Sequence, residues 1–131
     1  MRLAALVFLL CLGASAALAS PRTDYMLRCM GCHLPDGAET PDKVPPLKNH
    51  VARFLSVEGG RAYLVQVPGT RQSVLSDKAV ADLLNWLVVH FDAAHMPESF
   101  APYSEAEVRE LRSHHLRDAA AERARLIERM E

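Results

Sequence analysis

The stretch Arg28-Cys29-Met30-Gly31-Cys32-His33 sets two thiols three positions apart and puts an imidazole directly after the second. Thiols at that spacing support three kinds of chemistry. They can cycle between dithiol and disulfide, or they can supply half of a tetrahedral zinc site. They can also add to the two vinyl groups of a haem while the adjacent histidine offers a ring nitrogen to the iron from one face. Zinc would need a fourth ligand from a distant His or Asp. A redox Cys-x-x-Cys is expected beside a βαβ pattern, and the alternating strands of such a fold are missing from this sequence. Covalent haem attachment is the reading that uses Cys29, Cys32 and His33 together.

The N-terminus sets the context for those thiols. Residues 1–19 carry one basic residue, Arg2, then an apolar stretch, and end on small residues at Ala17-Leu18-Ala19. That is the layout of a secretory signal peptide cleaved before Ser20. Its apolar core is short for a membrane span, and no later run is long enough for one. Cleavage would remove Cys11 and leave Cys29 and Cys32 as the mature cysteines, in a compartment where thiols tend to be oxidised or ligated. A formal charge of −1 over 131 residues lacks the positive field on which nucleic-acid binding depends. No Ser-His-Asp or paired-carboxylate arrangement has interpretable spacing, so a non-enzymatic role is expected. The expected organisation is a signal peptide (1–19), one small domain (20–116) and a charged helical tail (117–131). A domain of that size has a marginal core without a staple.

The elements that must position the motif follow from periodicity and punctuation. Residues 21–27 read as a short helix running into the motif, with Tyr25 and Met26 as apolar contacts. Residues 34–46 are dense in Pro, Gly and Asp and read as loop, which leaves Asp36, Glu39 and Asp42 solvated. A short helix is expected over 47–57, with Val51, Phe54 and Leu55 on it. Residues 61–67 fit strand or short helix equally. Over 76–91, a Ser76 or Asp77 cap precedes Val80, Leu83, Leu84, Leu87 and Val88 at helical spacing, with Trp86 flanking the stripe as a core aromatic. After a loop over 92–103, Ser104 and Glu107 have capping-box spacing, and Val108, Leu111 and His115 mark an apolar face. The Ala-, Arg- and Glu-rich end reads as an exposed helix.

With these residues in view, the chain resembles a small monohaem class I cytochrome c, over about residues 25–91 and as far as Leu116. Cys29, Cys32 and His33 match the attachment motif. Val44-Pro45-Pro46-Leu47 resembles the stretch in which a proline carbonyl accepts a hydrogen bond from the haem-binding imidazole, a role that falls here to Pro45 or Pro46. Gly59 to Leu64 resembles the family's middle helix, and Leu75 to Leu87 its last core helix, whose aromatic packs near the N-terminal helix. The resemblance implies an all-α fold of short helices and long loops around one covalent haem c.

The resemblance also exposes a departure. The family's second axial ligand is usually a methionine between those last two helices, and residues 68–74 contain none. Met96-Pro97 looks like the displaced counterpart, so Met96 is the expected thioether ligand, with His50, His95, His90 or an open position as the alternatives. Either the helix from Ser104 is then the closing one, or the core closes at Phe91 and the following segment wraps back. The implied function is single-electron transfer in the periplasm, as a soluble carrier or as the small electron-accepting subunit of a dehydrogenase. The implied partners are a quinoprotein or flavoprotein dehydrogenase, or a terminal oxidase. A haem-based sensor of small ligands, or a peroxidase-like enzyme, is the alternative if the iron is open.

Overall fold

The computed structural model describes residues 20–42 and 44–130. The expected signal peptide lies outside the described residues. Helix α1 (Pro21–Arg28) starts where Ser20 Oγ accepts a hydrogen bond from the Thr23 amide at 3.2 Å and Pro21 takes the first helical position. Proline has no amide hydrogen there for the helix to miss. Two more short helices, α2 (Gly60–Gln66) and α3 (Pro68–Arg71), lead to the longest, α4 (Asp77–Asp92). Ser76 caps α4, and Val80, Leu83, Leu84, Leu87 and Val88 are all buried along one face, as their spacing predicts. Helices α5 (Glu105–Ser113) and α6 (Ala119–Glu128) complete the chain. The described residues form no sheet; a single bridge joins Thr40 to Val44. The fold is all-α.

Helix α1 crosses α4 on an aromatic contact. The buried Tyr25 ring lies 5.1 Å from Phe91 and 5.7 Å from Trp86, centroid to centroid. Helix α4 thus packs directly on α1, and Tyr103, Val108 and Leu126 of the later segments belong to the same core. Met26 does not share the contact expected of it, being half exposed on the outer face of α1.

The ambiguous segment 61–67 is helical because of what its first turn meets. A Cβ at Gly60 would run into the Phe54 carbonyl, so only glycine allows α2 to approach the preceding turn this closely. Tyr63 then stacks on Phe54 at 5.0 Å, and Leu64 and Val65 are buried beside it. The helix expected over 47–57 is reduced to a 3₁₀ turn, Ala52–Ser56. Asn49, at φ +60°, interrupts helical geometry just upstream, and Val57 is already extended.

Two expectations for the C-terminal third need correction. His115 is exposed and lies beyond the end of α5, so it is not part of that helix's apolar face. The last helix is not an exposed tail: Leu126 is fully buried, Arg123 sits over the Phe54 ring at 6.0 Å, and Arg129 donates to the Glu58 carbonyl at 3.0 Å. Ile127 and Met130 pack against the same core beside that leucine. Glu107 also departs from its expected role. Ser104 Oγ accepts from the Glu107 amide, but the carboxylate turns away from the cap to bind Arg61, at 2.8 Å from Nη2. The Arg61 guanidinium in turn lies 3.9 Å above the Tyr103 ring, whose hydroxyl donates to the Arg61 carbonyl at 2.9 Å.

Leu126→Ala should cost about 2–5 kcal/mol in denaturant unfolding, the range for emptying a packed leucine site; a solvated tail would show no change. Glu107→Gln should reveal its role through pH. The hydrogen bond from Arg61 holds the Glu107 carboxyl below its ordinary value of 4.5, so its stabilisation is present above that pH and is lost as pH falls through the lowered value. The variant should melt below the wild type at pH 7, and the gap should narrow on acidification below 4.5.

Candidate haem site

The Cys-x-x-Cys-His motif continues α1 as a tight turn. The amides of Cys29 and Met30 both donate to the Tyr25 carbonyl, at 2.9 and 3.1 Å, and those of Cys32 and His33 both donate to the Cys29 carbonyl, at 3.1 and 2.8 Å. The two thiols are free, Cys29 half-buried and Cys32 exposed. His33 follows them at the edge of the interior.

The loop after the motif folds back onto it through bonds to main-chain carbonyls. Thr40 Oγ1 donates to the Cys32 carbonyl, and the Tyr25 hydroxyl donates to the Leu34 carbonyl, each at 2.5 Å. The Gly37 amide donates to the Leu34 carbonyl at 2.9 Å, and the Gly37 carbonyl accepts from Leu47 and Lys48 at 2.8 and 3.0 Å. Gly37 is fixed by its surroundings. It sits at φ +74°, and a Cβ there would come within 2.6 Å of the Phe91 ring. The loop is thus pressed against the end of α4, at the α1–α4 crossing. Asp36, Glu39 and Asp42 are exposed, as expected for loop carboxylates. Asp36 uses its carboxylate to accept from the Ala38 amide and the Lys48 ammonium.

Side-chain chemistry separates the three readings of the motif. Burial, with the nearby Asp24 and Cys32 adding to it, pushes the Cys29 thiol up to about 11. Disulfide oxidoreductases lower such a thiol to make a reactive thiolate, so the geometry opposes that reading. Among the described residues, no group of three or more His, Cys, Asp or Glu side chains gathers as a metal cage, which opposes structural zinc. Burial also lowers the His33 pKa, favouring the neutral imidazole that carries a free lone pair. His33 Nδ1 is buried with no hydrogen-bond partner. The bond expected from the His33 ring to the carbonyl of Pro45 or Pro46 is therefore not made. Free thiols flanking a turn that ends in a neutral, partly buried imidazole fit a covalently attached haem.

Met96 follows the 3₁₀ turn Ala93–His95 beyond α4, half-buried against the hydrophobic core. His95 is engaged at both nitrogens, Nδ1 with the buried Asp92 carboxylate and Nε2 with Arg53 Nη2 at 2.8 Å. His50 is exposed, with Nδ1 donating to the Lys48 carbonyl at 2.8 Å. His90 is exposed and stacks on Trp86 at 4.3 Å. Asp92 was not singled out in the sequence, yet it anchors this region: its other carboxylate oxygen accepts from the Ala52 amide at 2.8 Å. Its only sequence signal is a histidine three positions on, which is too common to be specific.

Gly37→Ala should destabilise the protein by about 3 kcal/mol, from left-handed backbone strain plus overlap with Phe91. Chemical denaturation of the purified protein checks this, and a change under about 1 kcal/mol would show that the loop is not pressed on α4.

The comparisons agree with this geometry. The chain is 32% identical over 141 aligned positions to a cytochrome c-552 of Thermus thermophilus, a match that takes in 92% of this chain and 95% of that protein. A second Thermus thermophilus cytochrome c-552 is 32% identical over 119 positions, 76% of this chain and 91% of its own length. No protein-family model matches the chain. Similarity along nearly the whole of both chains, joined to an all-α fold built around a Cys-x-x-Cys-His turn, places this chain in the class I c-type cytochromes.

Proposed function

We propose that this protein transfers single electrons in the periplasm through one haem c, held by thioether bonds from Cys29 and Cys32 and by a ring nitrogen of His33. The observation that carries the reading is the motif turn itself, two free thiols leading into a neutral imidazole with an unpartnered buried nitrogen, in a chain of the c-type cytochrome family. Bound there, haem supplies a one-electron couple whose potential the protein sets through axial ligand and burial.

The chain's own contribution is rigidity. Tyr25 ties the residue after His33 to the α1–α4 crossing, and the Gly37 carbonyl ties the following loop to Leu47 and Lys48. A main chain held on both sides of the motif limits how far the site reorganises when charge changes, which suits a carrier. Among the described residues, no helix is long and apolar enough to cross a membrane. Export by the segment 1–19 would deliver the protein to the periplasm, where it serves as a soluble carrier or as the small electron-accepting subunit of a quinoprotein or flavoprotein dehydrogenase. The reacting centre then belongs to the partner, and this chain has no catalytic residue.

Replacing Cys29 and Cys32 together by Ala should abolish the haem that survives denaturation and acid-acetone extraction, and should lower the yield of folded protein because a ligand-linked stabilisation is gone. Haem that resists extraction in that variant would contradict the assignment.

A further inference from the structure

We propose that the side chains of Tyr25, Trp86 and His90 form a route along which an electron passes between the surface of α4 and the attachment motif, with the exposed His90 imidazole as its outer end. The inference rests on the haem reading above and goes beyond it, because it names where on the chain the electron enters or leaves.

The route can be traced residue by residue. At its inner end the Tyr25 hydroxyl donates at 2.5 Å to the carbonyl of Leu34, and Leu34 is joined by a peptide bond to His33. The Tyr25 ring is buried and lies 5.7 Å from Trp86, centroid to centroid. Trp86 is half-buried, and its indole stacks on His90 at 4.3 Å with the two ring planes 16° apart. His90 is exposed. Phe91 supplies a parallel branch, 4.8 Å from His90 and 5.1 Å from Tyr25. Both branches meet at Tyr25, so its hydroxyl is the link they share.

An electron crosses a span of this kind by tunnelling, and the coupling falls off more steeply across gaps than through covalent bonds, hydrogen bonds and stacked π systems. Phe91 also lies against Gly37, but a van der Waals contact couples more weakly than the hydrogen bond from Tyr25. Burial raises the Tyr25 pKa to about 12, so the phenol keeps its proton and the link persists at neutral pH. The flat stack of His90 on Trp86 carries the π contact out to solvent, where a partner's cofactor can approach. One electron leaves the reduced quinone or flavin of the partner and reduces ferric haem to ferrous. Tyr25 and Trp86 lend orbitals to the coupling without being oxidised, so no proton leaves either ring. They are positioning residues for the transfer.

The test uses the purified holoprotein, in variants that keep either His90 or His50 as the exposed histidine and carry a ruthenium polypyridyl complex on it. A light flash turns the label into an electron donor, and haem reduction is followed by absorbance. His50 is the comparison because its segment meets the motif loop by another way, through the Leu47 and Lys48 amides on the Gly37 carbonyl. Tyr25→Phe, which keeps the ring and removes only the hydroxyl, should slow transfer from His90 several-fold and leave transfer from His50 unchanged. Trp86→Leu should also slow transfer from His90; no effect there would put the route through Phe91 and overturn the proposal as stated. An unchanged His90 rate in Tyr25→Phe would overturn it too, as would equal slowing from both labels, the mark of a purely structural effect. Reduction potentials of the same samples separate coupling from driving force, and a slowing that a changed potential accounts for would count against the route. Covalent haem is measured after denaturation. Its absence would bring down the haem reading itself, and its presence with unslowed transfer would bring down this inference alone.

Discussion

Tyr25 reaches in two directions. Its ring is wedged against Trp86 and Phe91 of α4, and its hydroxyl donates to the carbonyl of Leu34, one residue beyond His33. Burial raises its pKa to about 12, so the phenol stays a donor across the working pH range. Each aromatic pair adds about 0.5–1.5 kcal/mol beyond the area it buries. The larger effect is geometric. The same residue fixes the crossing of α1 on α4 and the exit of the chain from the attachment motif, so the core and the site cannot shift independently.

The C-terminal half frames that crossing with charged clamps as well as apolar contacts. Asp92 anchors the turn at Ala52, Arg112 binds the connection into α4, and Arg61 links α2 to α5 through Glu107 while covering Tyr103. Each clamp joins segments at least 35 positions apart in sequence. A small chain with long loops gains definition in this way, because buried or half-buried charges with several partners tolerate few alternative arrangements. The resulting frame holds the segments on either side of α4.

Much of this was legible in the sequence, and the misses share a cause. The α4 stripe and the Ser76 and Ser104 caps are local signals, and each forms where the spacing puts it. The helix at 60–66 could not be told from a strand because Tyr63, Leu64 and Val65 suit both periods; contact with Phe54 decides it. Docking of α6 rests on Leu126 with Ile127 and Met130 beside it, a signal too weak to read without knowing that Phe54 and Glu58 lie opposite. At the site, the three motif residues stand out by spacing. Asp92 and Arg112 do not, because their value comes from partners distant in sequence.

The central claim is that Cys29 and Cys32 carry a haem covalently. Mass spectrometry of the tryptic peptide running from Cys29 to Lys43, taken from protein matured in an exporting host and digested without reduction, tests it most directly. The account predicts that the peptide retains one haem and that neither cysteine accepts an alkylating reagent. A bare peptide that alkylates at both cysteines, or one closed by a Cys29–Cys32 disulfide, would contradict it.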